Sequence, residues 1–310
     1  MRVTGALADV RDEARIGPLF KAFSPDIVIH AAALKHVPYL EADWGEGIKT
    51  NIFGSVTVTE AAIAAGAGIF VMISTDKAIE PVSMLGATKR FAEIHTEALD
   101  ARLRAEGAPT RLISVRFGNV LGSNGSVVPK FAAQIERGGP VTVTHPDMVR
   151  YFMTVGEAAD LVLTASLHAA TPDAPVRAST YVLKMGKPVR IIELAERMVR
   201  LSGFEPGVDI EIAFTGVRPG ERLHEILFAK DEKRVDVGEE GILAAQTNGA
   251  SLEVIAGWRA RLAAALKSHD RAEAEAVFRE AIPTFSPDPV DAPALPAPQA
   301  GAGGTRTTVA

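Results

Sequence analysis

An apolar run at residues 69–73 ends abruptly in the sequence Ser-Thr-Asp-Lys at residues 74–77. A continuous apolar run of this length is typical of a buried strand in a parallel sheet. A helical pattern begins near Ser83 and carries Lys89 in its second turn. Because ligands in open α/β sheets bind beyond the carboxyl ends of the strands, the pattern predicts a site with acidic and basic groups directly after this strand.

Strand and helix patterns alternate through the first 117 residues. Apolar spacing predicts helices at 13–23, 46–66 and 83–106, and strands at 27–32, 69–74 and 110–117. A strand end is also expected at 7–12, with Asp12 as the N-cap of the first helix. This β-α-β-α-β alternation predicts an α/β fold with a doubly wound parallel sheet and helices on both faces.

The regular alternation of strand and helix patterns ends after residue 117. A glycine-rich loop is predicted at 118–125, and Thr154 with Glu157 has the spacing of a capping box. The last residues, 286–310, are rich in Pro, Ala, Gly and Thr, which predicts a disordered tail. Further helices are expected at 127–137, 155–168, 191–202 and, as a pair, 251–280, with strands at 141–144, 181–185 and 210–214.

Composition excludes several classes of function. The formal net charge of -5 gives no basic surface, so nucleic acid is not an expected partner. The chain has no cysteine, which excludes disulfides, thiolate catalysis and Cys-ligated metal. Its apolar runs are far shorter than the roughly 20 residues of a membrane-spanning helix, and its N-terminus lacks the layout of a signal peptide. These features favour a soluble cytoplasmic protein without a membrane segment.

A dinucleotide-binding sheet normally opens with a strand, a glycine-rich turn and a helix whose N-terminus holds the pyrophosphate. No G-x-x-G-x-x-G or G-x-G-x-x-G motif precedes a helix in this sequence. The glycine cluster at 118–125 follows a later strand and has a different spacing.

Seven short motifs nevertheless occur in a characteristic order. They are HAAALKHVP at 30–38, TN at 50–51, STDKA at 74–78, GATK at 86–89, RFGNVLGS at 116–123, RYFMT at 150–154 and RPGE at 218–221. On these motifs the chain strongly resembles polysaccharide biosynthesis proteins that are nucleotide-sugar 4,6-dehydratases acting on UDP-N-acetylglucosamine. These enzymes are extended short-chain dehydrogenases/reductases, and the likeness covers about residues 7–227.

The resemblance implies a Rossmann-like sheet that lacks its first β-α-β-α, together with a smaller α/β substrate-binding subdomain. Residues 1–125 are expected to form the partial cofactor-binding domain, 126–282 the substrate-binding region with strands returning to the main sheet, and 283–310 the tail. In the usual strand order 3-2-1-4-5-6, the strand at 27–32 becomes an exposed apolar edge. We therefore expect the chain alone to have low stability and weak nicotinamide cofactor binding.

The resemblance also implies a reaction. NADP or NAD takes a hydride from sugar C4, water leaves across C5 and C6, and the hydride returns to C6. Asp76 and Lys77 match the acid and base of the elimination, and Thr75 matches the residue that bonds the C4 hydroxyl. A lysine acts as a base only when neutral, so the pKa of Lys77 would have to fall. The alternative from spacing alone is that residues 75–77 merely cap the next helix.

Lys89 matches the superfamily lysine that binds the cofactor ribose. Its usual tyrosine partner lies four residues earlier on the same helix face, where this chain has Leu85. Because Leu85 cannot accept a proton, Asp76 becomes the candidate acceptor for the C4 hydroxyl proton.

The remaining predicted site residues fall into two groups. The resemblance assigns the cofactor to Asp9, Val10, Ala31, Ala32, Ala33, Lys35, Asn51 and Lys89. It assigns the UDP-sugar substrate to Lys35, His36, Asn119, Ser126, Val127, Lys130, Arg150, Arg218 and Glu221. Arginine suits a diphosphate because its planar fork binds two oxygens at once. No metal site is expected, and relatives imply a homo-oligomer.

Two alternatives to a dehydratase stay open. One is a non-catalytic remnant or pseudoenzyme that binds a nucleotide sugar or a partner subunit, which Leu85 and the missing phosphate loop favour. The other is a nucleotide-sugar epimerase, although epimerases have no need of the elimination pair Asp76 and Lys77.

Overall fold

A six-stranded sheet forms the centre of the computed structural model, which describes residues 3–171, 176, 178–230, 232–246 and 249–287. The strand order is β1-β2-β3-β8-β12-β11. Strands β1, β2, β3 and β8 are parallel, whereas β12 and β11 are antiparallel. The strands of this sheet are β1 (Ile27–His30), β2 (Ile69–Thr75), β3 (Arg111–Phe117), β8 (Thr180–Leu183), β11 (Lys233–Asp236) and β12 (Ile242–Gln246).

In the described part of the chain, three two-stranded ladders lie outside the main sheet. They pair β4 with β7, β5 with β10, and β6 with β9. Their strands are β4 (Asn119–Val120), β5 (Val141–Val143), β6 (Val149–Arg150), β7 (Phe152–Met153), β9 (Val189–Arg190) and β10 (Ile212–Phe214).

Ten α-helices within the described ranges pack around these strands. They are α1 (Glu13–Phe23), α2 (Val37–Ala42), α3 (Trp44–Gly47), α4 (Ser55–Ala64), α5 (Met84–Ala105), α6 (Val127–Glu136), α7 (Val155–Ala170), α8 (Ile191–Leu201), α9 (Leu252–Ser268) and α10 (Arg271–Ala281). The capping box of α7 is present, because Thr154 accepts from the Glu157 amide while Glu157 accepts from the Thr154 amide. The N-cap prediction for Asp12 is also confirmed, with its carboxylate accepting from Arg15.

The structure differs from the sequence predictions in two places N-terminal to β2. Instead of one regular helix at 46–66, a π-helical stretch, Ile48–Gly54, joins α3 to α4. The strand end expected at 7–12 is absent, since 3–9 have no regular structure and 10–12 form a turn into α1. The tail expected at 286–310 lies almost entirely outside the described residues.

Strand β1 occupies one edge of the main sheet, as the sequence predicted. Among the described strands it pairs only with β2. Its alternate residues Ile27 and Ile29 are 55% and 48% exposed, although Val28 is buried in the core beneath α1 and α4. In the described chain, this strand therefore presents unpaired backbone groups and apolar side chains to solvent, a combination that favours pairing with another strand.

A buried charge network holds together the elements that carry the site. Arg116 on β3 donates from Nε and Nη2 to the two oxygens of the Glu93 carboxylate on α5, at 2.8 and 2.7 Å. Ser74 on β2 donates to the same carboxylate at 2.6 Å, and Arg116 also donates to Glu232 at 2.8 Å. Because the Arg116 side chain is only 1% exposed, these partners satisfy charges that would otherwise be very costly to bury.

The turn after β2 lies directly against the start of α5. Gly86 is the closest point, because a Cβ placed there would overlap the Lys77 carbonyl oxygen and lie 2.8 Å from Pro81 Cβ. Glycine therefore lets the helix approach the backbone that carries Asp76 and Lys77.

We predict that Gly86→Ala lowers the free energy of unfolding by about 1–3 kcal/mol, since the added methyl has no space. Urea denaturation measures this effect. Gly17→Ala is the matched control, because no described atom lies within 4 Å of its added Cβ on α1; there alanine should stabilise by up to about 1 kcal/mol. A Gly86→Ala midpoint equal to that of the parent chain would contradict the prediction.

Candidate active site

The acidic and basic residues after β2 lie on a short 3-10 turn, Asp76–Ala78. The Thr75 hydroxyl accepts from the Lys77 amide at 3.4 Å and donates to Asp76 Oδ1 at 2.9 Å. Thr75 therefore caps this turn, and at the same time fixes the orientation of the Asp76 carboxyl. The capping and catalytic interpretations of this motif are compatible.

The Lys77 ammonium lies between two carboxyl groups from distant parts of the chain. Its Nζ is 2.9 Å from Asp76 Oδ1 and 3.2 Å from Glu225 Oε1. Arg150 Nε also contacts Glu225 Oε1, at 3.4 Å. The Asp76 and Glu225 side chains are only 1% and 5% exposed, so these charges interact strongly.

The surroundings separate the protonation states of the two carboxyls. Burial raises the pKa of Asp76, and the opposing Lys77 only partly offsets it. Asp76 Oδ2 is buried and has no hydrogen-bond partner among the described residues, which also favours the neutral acid. Burial acts in the same direction on Glu225, but Lys77 and then Arg150 outweigh it and lower its pKa.

Lys77 is held as a cation in this arrangement. Burial lowers its pKa, but the Asp76 and Glu225 carboxyls outweigh burial, so the pKa lies above its ordinary value. The neutral lysine that a base requires is therefore not the form this structure stabilises. The sequence could show only part of this, because Asp76 adjoins Lys77 but Glu225 lies 148 positions beyond it.

Lys77 of the Asp76–Ala78 turn lines a cavity of about 180 Å³, here called the inner cavity. Both Lys77 and Glu225 line it. Its complete lining is Val37, Lys77, Val82, Ser83, Asn119, Arg150, Gly220, Glu221, Arg222 and Glu225.

A second cavity of about 240 Å³, the outer cavity, shares Asn119, Arg150 and Glu221 with the inner one. Seven of the predicted substrate-binding residues line it: Asn119, Ser126, Val127, Lys130, Arg150, Arg218 and Glu221. The folded chain thus brings together side chains that are spread over about a hundred positions of sequence.

The outer cavity has the electrostatics of an anion site. The N-terminus of α6 faces it, and the Ser126 hydroxyl at that N-terminus is buried without a partner among the described residues. Burial and then the neighbouring Arg218 lower the pKa of Lys130, which indicates that two cations face the same space. Helix N-termini and clustered cations both bind phosphate groups.

Part of the wall of the outer cavity is apolar. Phe131, Met148, Phe152 and Ile191 form this part. An aromatic or heterocyclic ring attached to an anionic group would suit such a mixed lining.

The predicted superfamily lysine occupies a buried position beneath the turn. Lys89 Nζ donates to the Ile73 carbonyl at 2.8 Å, and burial lowers its pKa to about 8. Leu85, one turn earlier, is buried in the core beside Val37 and Leu40. Asn51 bonds both the amide and the carbonyl of Leu34, at 2.9 and 3.0 Å, and thereby fixes the loop after β1.

Other predicted residues lie outside both cavities. Asp9 pairs with Arg11, which lowers the pKa of Asp9 to about 2, while Val10 packs on Gly54. The predicted residues Ala31, Ala32 and Lys35 are exposed, Ala33 is half-buried, and His36 lies against Tyr39 and Gly125. Their cofactor and substrate roles stay predictions.

No motif in the sequence pointed to Glu225, the second carboxyl partner of Lys77. It lies in an irregular segment after the Arg-Pro-Gly-Glu motif, so no helix or strand periodicity marks it. The one available signal is its position four residues after Glu221 in the same motif region.

Within the described ranges, no group of three or more His, Cys, Asp or Glu side chains is arranged to hold a metal ion. In the same part of the chain, no helix is long and apolar enough to cross a membrane. A separate cavity of about 390 Å³ lies between α4, α5 and α9 and contains none of the predicted site residues.

Comparison with solved structures places this fold in a known class. The chain superposes on the X-ray structure of Pen from Bacillus thuringiensis with a TM-score of 0.68, at 32% identity over 79% of this chain and 73% of that one. It also matches UDP-glucose 4-epimerase from Thermus thermophilus in complex with NAD, with a TM-score of 0.59 and 24% identity over 71% and 74% of the two chains. The parallel sheet with a cleft at its carboxyl edge is that of an extended short-chain dehydrogenase/reductase.

Residues 1–247 match the family described as polysaccharide biosynthesis protein, and the chain belongs to that family. It is 49% identical over 226 residues to the capsular polysaccharide biosynthesis protein CapD of Staphylococcus aureus, covering 73% of this chain and 36% of CapD. It is 38% identical over 216 residues to UDP-glucose 4-epimerase of Rickettsia felis, covering 69% and 59%. The chain therefore spans about a third of the length of CapD.

We predict that stability rises with pH between about 8 and 10.5 because of Lys89. Its folded-state pKa of about 8 lies below the ordinary 10.5, so the unfolded chain binds more protons in this window. Below pH 8, burying the charged Lys89 lowers the free energy of unfolding by its full amount, about 3 kcal/mol. Urea denaturation at pH 7 and 10 should show this rise in the parent chain and lose it in Lys89→Met, which cannot titrate. Equal pH slopes in the two proteins would contradict this assignment.

Proposed function

We propose that the chain carries the elimination and substrate-binding centre of a nucleotide-sugar 4,6-dehydratase acting on UDP-N-acetylglucosamine. The observation that supports this most is the juxtaposition of the Asp76, Lys77 and Glu225 side chains with a cation-lined cavity. Family membership supports the coarser statement, a nucleotide-sugar enzyme of polysaccharide biosynthesis. The cytoplasm and a homo-oligomer are part of this proposal.

The outer cavity is proposed to hold the uridine diphosphate. Lys130, Arg218 and the N-terminus of α6 would bind the phosphates, and the wall formed by Phe131, Met148, Phe152 and Ile191 would contact the base. Arg150 lines both cavities and would lie between the diphosphate and the sugar. The sugar ring then reaches the inner cavity, where Lys77 and Glu225 lie.

Asp76 is proposed as the acid of the elimination. Its raised pKa favours the protonated form, which can give its proton to the departing C6 hydroxyl. A Cβ added at Gly118 would lie 3.0 Å from Asp76 Oδ2, so glycine at this position leaves space beside that buried oxygen. The Lys77 cation stabilises negative charge that develops on the sugar as its C5 proton is removed.

The nicotinamide cofactor, NAD or NADP, supplies hydride transfer when it is bound. The described residues could hold the nicotinamide ribose of this cofactor but not its pyrophosphate. Lys89 and the Asn51-fixed loop lie at the carboxyl edge of the sheet, where the nicotinamide ribose is expected. No glycine-rich turn leading into a helix N-terminus follows a described strand in the way a pyrophosphate requires.

An epimerase is the second candidate, because the rickettsial relative is a UDP-glucose 4-epimerase. Epimerisation needs no acid for a departing hydroxyl, so it leaves the buried Asp76 with its raised pKa without a role. A remnant that binds nucleotide sugar without turnover is the third. Leu85 at the usual tyrosine position supports that alternative.

We predict that Arg218→Ala weakens UDP binding about tenfold, since one charge-assisted contact to the diphosphate is lost. Isothermal titration calorimetry with UDP measures this affinity. Arg200→Ala is the control, because Arg200 is an exposed arginine paired with Glu196 on α8 and should leave binding unchanged. Equal affinities of Arg218→Ala and the parent chain would refute the placement of the diphosphate.

We predict that the chain, incubated with UDP-N-acetylglucosamine and a large excess of NAD or NADP that offsets weak cofactor binding, forms a nucleotide sugar lighter by one water. Asp76→Asn should reduce this product at least about 100-fold, because the acid is lost. Mass spectrometry separates the outcomes: an isomer of unchanged mass would indicate an epimerase, and unchanged substrate with intact UDP binding would indicate the remnant.

A further inference from the structure

Two carboxyl groups share one lysine in the inner cavity. Asp76 comes from the turn after β2, and Glu225 from the irregular segment that follows the Arg-Pro-Gly-Glu motif. Both contact Lys77 Nζ, at 2.9 and 3.2 Å. The fold thus brings together a pair of carboxyls of which the sequence showed only one.

The two members of this pair have opposite environments. Asp76 has a buried oxygen without a partner among the described residues, whereas Glu225 faces two cations, Lys77 and Arg150. Such a pair, with one carboxyl kept neutral and the other ionised, supplies an acid and a base at the same pH. Elimination of water needs both.

We infer that Glu225 is the general base of the elimination and that Lys77 is its electrostatic partner. This inference rests on the proposed function and changes the role that the family resemblance gives to Lys77. The Glu225 carboxylate lines the inner cavity, where the sugar is proposed to bind, and it is the ionised member of the pair.

Elimination of water requires no proton donor or acceptor other than Asp76 and Glu225. In a 4-keto sugar the C5–H bond is acidic, and the Glu225 carboxylate takes that proton to form its neutral acid. The C5–H electron pair becomes the C5–C6 double bond, the C6–O bond breaks, and the Asp76 proton completes the departing water. Lys77 stays an ammonium throughout and offsets the negative charge on the C4 oxygen.

Arg150 links substrate binding to this base. Its Nε contacts Glu225 Oε1 at 3.4 Å, and its Nη1 donates to the Val149 carbonyl at 2.7 Å. An anionic diphosphate at Arg150 offsets the positive charge that weakens Glu225 as a base. Glu225 therefore becomes more basic when the substrate is in place.

The test isolates the base from hydride transfer. The full chain is incubated in D2O with UDP-2-acetamido-2,6-dideoxy-4-keto-hexose, the reaction product, and deuterium at C5 is followed by proton NMR. Exchange at C5 collapses the C6 methyl doublet to a singlet and needs no cofactor. The variants are Glu225→Gln, which keeps the shape, and Lys77→Arg, which keeps the charge but cannot act as a neutral base.

We expect Glu225→Gln to slow C5 exchange about 100-fold or more, and Lys77→Arg to slow it less than about tenfold. Glu275→Gln is the control, since Glu275 is a partly buried carboxylate on α10 that pairs with Arg271 and Arg279 outside both cavities. Its exchange rate should match the parent chain. Formate should restore exchange in Glu225→Ala, because the small carboxylate occupies the vacated space, and should have no effect on Glu275→Gln.

Calorimetry with UDP separates failure of this inference from failure of the proposed function. Absence of UDP binding by the parent chain overturns both. UDP binding by a parent chain that shows no C5 exchange also overturns both. Exchange that Glu225→Gln leaves within tenfold of the parent rate overturns the role of Glu225 alone. If both Glu225→Gln and Lys77→Arg lose exchange, formate rescue of Glu225→Ala supports the inference, and its absence overturns it.

Discussion

The bidentate ion pair between Arg116 and Glu93 is the interaction on which the site depends. It joins β3 to α5, and Ser74 adds the end of β2 through the same carboxylate. A guanidinium that is 1% exposed cannot lose a partner without leaving a buried charge, which costs about 3–5 kcal/mol. The ends of β2 and β3 and the helix α5 are therefore fixed relative to one another beneath the Asp76–Ala78 turn.

This fixed arrangement of β2, β3 and α5 explains how the Asp76–Ala78 turn orients its side chains. Gly86 allows α5 to lie against the Lys77 carbonyl, and Thr75 caps the turn while orienting Asp76. Arg150 on β6 and Glu225 in the irregular segment after the Arg-Pro-Gly-Glu motif then complete the charges around Lys77. The inner cavity is thus formed between a rigid sheet edge and an irregular segment, and the segment contributes the charges that set protonation in the site.

Local signals in the sequence predicted much of the fold and part of the site. The apolar run before Ser74 and the capping box at Thr154 and Glu157 are local, and both are confirmed. The strand end expected at 7–12 is wrong, since a strand needs a pairing neighbour and none lies beside those residues in the described chain.

The protonation of the site could not be predicted from the sequence, because it depends on contacts between distant residues. The motif at 74–78 suggested an acid and a base, but Asp76 and Glu225 together raise the pKa of Lys77, where a base would need it lowered. The outer cavity was more predictable, as residues chosen from the motifs, such as Ser126, Lys130 and Arg218, do line one space. Motifs therefore located the groups, while the folded structure determined their ionisation.

A crystal structure of the chain with UDP-N-acetylglucosamine would decide whether the two cavities form one substrate site. We expect the diphosphate at the N-terminus of α6, in contact with Lys130 and Arg218, and the sugar ring in the inner cavity beside Lys77 and Glu225. A nucleotide bound elsewhere, for example in the cavity between α4, α5 and α9, or a sugar directed away from Glu225, would contradict this placement.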